Sequence, residues 1–250
     1  MIRTLLKLSL LAATAAMAIP TAPVLVQTAT AATPLSEAAQ RFGTLYVPVE
    51  LTVETAITGF DKEFEPSIRA NANMVALVKA NPGLIEAAGE AGRKAMADSL
   101  RRALPAMQQR VAALAAARMT NAEIKDYSAY LSSSAGMKLQ RAIAETADTS
   151  TLAQEMRATG EIPRFDGEKL LAMVNPAALG RLDKDELASL IKFSASPTGR
   201  KIDAVGAEFA ELVATEMNAI ILAMKPDVVQ AVVAAMSAHL GRKESMIAAP

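Results

Sequence analysis

The sequence predicts an all-α protein: a helical bundle built around two tandem helix–turn–helix hairpin repeats, behind an N-terminal signal peptide. Three observations carry this. Apolar residues recur at steps of three and four, and no segment sustains a two-residue alternation of β-branched residues. Alanine, the strongest helix former, makes up roughly a fifth of the 250 residues. A stretch in the middle of the chain returns about 63 residues later without a gap. The apolar fraction of 52% is ample for a large core, while aromatics are 4% with no Trp. That scarcity of rings predicts closely approaching helices rather than stacked aromatics.

The chain divides into a signal (1–32), an N-terminal helical segment (33–118), a first hairpin (119–147), a linker (148–168), and a second hairpin with C-terminal helices (169–250). Arg3 and Lys7 form a positive n-region, and Leu8 to Ile19 form a short apolar h-region. Pro20 and Pro23 break any helix there, and Ala29-Thr30-Ala31 offers small residues for cleavage near Ala31 or Ala32. Cleavage leaves about 24 basic against 26 acidic residues. With no Cys, lipidation as a bacterial lipoprotein is excluded. No later stretch reaches about 18 uncharged apolar residues, so no stable membrane span is expected after cleavage. The expected location is periplasmic or secreted.

Leu35 to Val47 reads as a short amphipathic helix, and Pro48 suits the first turn of the next. That helix carries Leu51, Val53, Ile57 and Phe60 and should end near Pro66. A third runs from Ile68 to Val78 and stops at Asn81-Pro82-Gly83. From Leu84 to Met119 the residues Leu100, Leu104, Met107, Val111 and Leu114 form one face. Pro105 inside that run predicts a kink or two abutting helices. Periodicity fades between Asp148 and Glu168, where Gly160, Pro163 and Gly167 cluster. A helix through Phe209, Val213, Met217, Ile220 and Met224 should stop at Lys225-Pro226-Asp227. A last helix then carries Val228, Val232, Met236 and Leu240, before fraying from Gly241 to Pro250.

The repeat aligns Arg118 to Leu139 with Arg181 to Ile202. Thr120 and Asp183 are N-caps, with Glu123 and Glu186 three residues on, completing a capping box at each helix start. Ile124/Leu187, Tyr127/Leu190 and Tyr130/Phe193 then share one face. Ser133 and Ser196 suit the N-cap of the following helix, with Pro197 at its first position in the second copy. Gly136 and Gly199 lie one turn in, where a missing side chain lets the preceding helix approach. Lys138 and Lys201 follow, and Leu139/Ile202 and Ala142/Val205 continue the buried stripe. Two such hairpins can pack as a pseudo-symmetric bundle.

The run Thr/Asp-x-x-Glu-Ile/Leu, an aromatic, then Ser-x-x-Gly-x-Lys resembles the core signature of the domain-of-unknown-function family 2059. The resemblance covers roughly Asn81 to Ala147, with a partial second copy from Asn175 to Phe209. Copy one departs from the pattern with Leu131 after Tyr130 and Ala135 in place of a motif Pro; copy two has Ser194 after Phe193. The resemblance implies a secreted or periplasmic bacterial helical protein and brings no activity with it.

Composition narrows the chemistry. Without Cys, thiolate zinc sites, iron–sulfur clusters and cysteine nucleophiles are excluded, and the single His239 disfavours His-rich metal sites and a Ser–His–Asp triad. A net charge of zero offers no field for nucleic acid. The Ser-x-x-Gly-x-Lys helix starts resemble an anion site, but lack the upstream Gly and strand of a phosphate-binding loop; capping and packing are the stronger reading. Asp183, Asp185 and Glu186 lack an oxygen ligand at Leu187 and a Gly at Ala188, so a calcium loop fails. Asp61, Glu63 and Glu65 are the sequence's candidates for paired carboxylates, against a solvated helix end. His239 has no recognisable partner. Met96, Met107, Met119, Met217, Met224 and Met236 read as core, with a pliable groove as the sharper alternative.

No catalytic residue, cofactor or metal is assigned. The expected function is a non-enzymatic binding or interaction module of the cell envelope, taking a protein partner or an apolar ligand. The alternative is a carboxylate-based hydrolase of an envelope polymer, which requires two facing carboxylates about 5–10 Å apart.

Overall fold

The computed structural model describes residues 34–147, 164–172 and 176–247. The signal segment and most of the linker lie outside the described residues. Nine α-helices follow in order among those described: α1 (Glu37–Tyr46), α2 (Val49–Ala70), α3 (Ala72–Ala80), α4 (Leu84–Arg118), α5 (Asn121–Leu131), α6 (Ser134–Thr146), α7 (Gly167–Ala172), α8 (Lys184–Ala195) and α9 (Pro197–Ile247). A 3₁₀ turn, Pro176–Arg181, precedes α8, and the described residues contain no strand. The chain is an all-α helical bundle.

Two long helices, α4 and α9, form the spine and share the most extensive packing. On α4 the predicted stripe Leu100, Leu104, Met107 and Val111 is buried; on α9, Phe209, Val213, Met217 and Ile221 meet it. Arg110 of α4 pairs with the buried Glu216 of α9, placing one charge at the edge of that seam.

The stops expected at Pro66 and Pro226 are absent, and at Pro105 there is one helix rather than two abutting ones. Pro66, Pro105 and Pro226 all lie inside continuous helices, and α9 stays helical past Gly241 to Ile247. A mid-helix proline costs about 3 kcal/mol in an isolated helix, because one N–H donor is lost and the ring crowds the preceding turn. Long-range packing offsets it at Pro105 and Pro226, whereas Pro66 sits in an exposed stretch four residues before its helix ends. Around Pro105, Leu104 and Met107 are fully buried. Beside Pro226, Met224 and Val228 are buried, and the next residue, Asp227, is held by Arg102 at 3.1 Å and Ser99 at 3.4 Å.

The first helix is positioned from both ends. Ser36 caps it by accepting the Ala39 N–H at 3.2 Å. At the other end, carbonyls that a helix leaves unpaired are reached by side chains from elsewhere: Gln140 Nε2 donates to Leu45 O at 2.9 Å, and Gln108 Nε2 to Val47 O at 2.8 Å. Gly43 faces α4 so closely that an added Cβ would collide with the Gln108 carbonyl oxygen. After the linker, Phe165 is latched to α9 by a two-way bond with the Asn218 amide, at 3.0 and 2.7 Å.

The scarce aromatics do stack, contrary to the expectation from composition. Six of them (Phe42, Tyr46, Tyr127, Tyr130, Phe193 and Phe209) form one contiguous cluster where α1, α5, α8 and α9 meet. Five of the six methionines singled out by periodicity are buried as ordinary core, and Met236 is half-buried.

The Pro197–Gly241 part of α9 is long and apolar enough by composition to cross a membrane. Lys225 and Asp227 interrupt it, which is why a count of uncharged residues does not find it. Its first half is core helix, whereas Val229 and Val233 farther along are exposed.

The helix–turn contacts make a sharp stability prediction. At Gly136 and Gly199 a Cβ would strike the carbonyl oxygens of Tyr130 and Phe193, whereas at Gly59, inside α2, it would meet nothing within 4 Å. Gly136→Ala and Gly199→Ala should each lose about 1–3 kcal/mol in urea unfolding. Gly59→Ala should instead gain about 0.5–1 kcal/mol. Equal effects at all three positions would refute the close-approach reading.

Candidate functional site

The repeated residues come together at the junction of the two hairpins. At the start of α5, Glu123 Oε2 accepts the Thr120 N–H at 2.7 Å and the Glu123 N–H donates to Thr120 Oγ1 at 3.3 Å. At the start of α8, Glu186 Oε2 accepts the Asp183 N–H and the Glu186 N–H donates to Asp183 Oδ1, both at 2.9 Å. Ser133 and Ser196 accept the N–H groups of Gly136 and Gly199 at 3.1 and 3.0 Å. Their hydroxyls donate to Tyr130 O and Phe193 O, both at 2.6 Å.

The two sets also interlock. Tyr130 and Phe193 stack at 4.3 Å with planes 6° apart. Lys138 of the first hairpin reaches Glu186 of the second at 2.6 Å, with Asp183 at 3.7 Å. Glu123 at the other cap is held by Thr120, with the charge of Lys201 a minor addition and no ion pair between them. The serine hydroxyls and Lys138 are engaged within the protein, which is the capping and packing arrangement.

The other candidates are dispersed. Asp61 pairs with Arg93 at 2.8 Å, and Glu65 with Arg69 at 2.6 Å in its own helix; Asp185 is exposed. His239 does have a partner: its Nε2 lies 3.1 Å from the Pro82 carbonyl, tying the far end of α9 to the turn before α4. Among the described residues, no group of acidic or histidine side chains gathers as a metal site.

What the motifs did not point to is a cleft of about 680 Å3 between α1 and α5. The helices run side by side in the same direction: Ser36 Oγ donates to Asn121 Oδ1 at 3.3 Å at their starts, and Phe42 and Tyr127 are 5.3 Å apart farther along. Arg41 and Glu37 line it from α1, and Lys125 and Asn121 from α5. Ser36, Ser128 and Ser132 add hydroxyls, and the apolar lining is only Ala38 and Ala129. The lining side chains are charged, hydroxyl-bearing or small, but apolar carbon makes up more of the wall than polar atoms do, and no large apolar side chain of the kind expected for a lipid or partner-helix groove is among them. A signal for it exists on α5, where Asn121, Lys125, Ser128 and Ser132 recur at helical spacing beside the buried face of Ile124, Tyr127 and Leu131.

Beneath this cleft the polar accounting is incomplete. Ser128 Oγ, Tyr46 OH and Tyr130 OH are buried without a hydrogen-bond partner. Burial pushes the phenols of Tyr46, Tyr127 and Tyr130 well above their ordinary values. They remain neutral across the physiological range.

No family model, no curated protein and no solved structure matches this chain.

The caps predict a pH response. Glu123 is held below the ordinary carboxylate range chiefly by the Thr120 backbone N–H and then by its hydroxyl; Asp183 is lowered chiefly by the Glu186 backbone N–H. A carboxyl depressed in the folded state contributes stability above its unfolded pKa and loses it as pH falls through the folded value. The urea midpoint should drop between about pH 5 and pH 3. In Glu123→Gln, which still offers the cap an amide oxygen, the drop should be shallower. Identical slopes would remove Glu123 from the account.

Proposed function

We propose that this chain is a non-enzymatic binding module of the cell envelope, exported by its N-terminal signal to the periplasm or beyond. The observation that carries the reading is the α1–α5 cleft, which is large enough for a small ligand and walled by charged and hydroxyl groups. Glu37 is the single carboxylate on that wall, whereas two-carboxylate hydrolysis needs a facing pair. Glu123 and Glu186 sit in their own helix caps rather than opposite one another across a cleft. Both facts support binding over hydrolysis.

The proposal includes an internal duplication of the hairpin and kinship with the domain-of-unknown-function family 2059. The shared caps and serine–glycine turns support the duplication; the signature residues support the kinship. Export rests on Arg3, Lys7 and the apolar run that follows them.

Native mass spectrometry of the protein purified from its exported compartment tests the reading. A mature chain lacking about 31 residues and carrying a small mass released on unfolding is expected. An uncleaved chain retained in the cytoplasm would overturn export. Turnover of an envelope polymer, abolished by Glu37→Gln, would overturn the non-enzymatic assignment.

A further inference from the structure

We propose that the α1–α5 cleft is a receptor for an anionic group, a phosphate or carboxylate. The inference rests on the binding reading above and specifies its chemistry. Arg41 projects from one wall and Lys125 from the other; neither makes a hydrogen bond or ion pair with the described residues. Glu37 stands one helical turn before Arg41, the spacing of a surface pair, yet no ion pair forms between them. The charged lining is thus two cations against one carboxylate.

Helices α1 and α5, of 10 and 11 residues, start side by side at the same mouth of the cleft, where Glu37 and the cap carboxylate of Glu123 already face their backbone dipoles. Ser36 gives its proton to Asn121 there, which leaves the Asn121 amide N–H2 to face an oxyanion. Ser128 lines the cleft, and its hydroxyl, buried behind the wall, has no partner. A guanidinium opposite an ammonium suits an oxyanion, the first by a two-toothed fork and the second as a point charge. The lining has no large apolar side chain, so the anion is held by the charged and polar groups rather than by an apolar anchor.

The test is titration of the full mature chain with inorganic phosphate and with acetate at constant ionic strength, followed by backbone amide NMR and calorimetry. Shifts should concentrate at Ser36 to Arg41 and Asn121 to Ser132. Arg41→Gln/Lys125→Gln should weaken binding of the preferred anion at least tenfold, while Lys192→Gln, at an exposed position on α8, should leave it unchanged. Ser128→Ala, which removes the buried hydroxyl without altering charge, should weaken it by a smaller factor. Urea midpoints of all variants establish that each is folded. Competition by phosphatidylglycerol vesicles, but not phosphatidylcholine vesicles, would assign the anion to a lipid headgroup; phosphate binding without such competition would assign it to a soluble molecule. Both outcomes uphold the site. Shifts scattered over every surface cation, or an unaltered affinity in the double variant, would overturn it. A neutral small molecule released from the native protein would overturn the anion assignment while leaving the binding module standing.

Discussion

Tyr130 and Phe193, stacked nearly parallel at 4.3 Å, are the contact on which the arrangement of the helices depends. Each ring closes the first helix of a hairpin, and its own backbone carbonyl accepts the serine hydroxyl that starts the second. The glycine one turn later removes the only atom that would push that second helix away. Turn geometry and ring position are therefore a single constraint: moving the ring moves the carbonyl, the serine and the helix that follows. Because α9 begins at one of these turns, the direction of the longest helix is set by the stack. The α4–α9 spine inherits it.

Lys138 acts on the same junction from outside, reaching across to the cap of α8 at Glu186 and Asp183. Both hairpins belong to one chain, so the pairing carries no association cost. Lys138 is half exposed, and each exposed pair contributes little alone. Their value lies in register: a hairpin slipped by a turn would leave a lysine facing no carboxylate.

How much of this is legible in the sequence follows from the range of the interactions. The caps at Thr120, Asp183, Ser133 and Ser196 are readable because donor and acceptor lie within three residues. The stop at Asn81-Pro82-Gly83 is readable for the same reason. The stop at Pro226 and the abutting-helix alternative at Pro105 are misread because the energy that keeps those helices continuous comes from distant partners; Asp227 is held by residues of α4 more than a hundred positions away. Ring stacking is misread because composition counts aromatics without placing them. Phe42, Tyr127 and Phe209 belong to three helices, and only the fold brings them together.

The cleft was invisible for a further reason. Its α5 wall is a polar stripe that any solvated helix face would show, and its meaning depends on where α1 lies. That position is set by Gly43 against Gln108, by the Gln108 and Gln140 amides on the end of α1, and by Ser36 at its start. None of these contacts has a sequence signature, since each joins α1 to a segment at least 61 residues away. Yet they fix α1 at both ends before any ligand arrives. A cleft whose walls are held in this way loses little conformational entropy on binding, so its charges are spent on the ligand rather than on ordering the site. The carboxylates of the hairpin junction are committed to caps and Lys138, whereas Arg41 and Lys125 are left to the cleft. On the proposed binding reading, that division, more than any motif, separates the part of the molecule that builds the fold from the part that would face a partner.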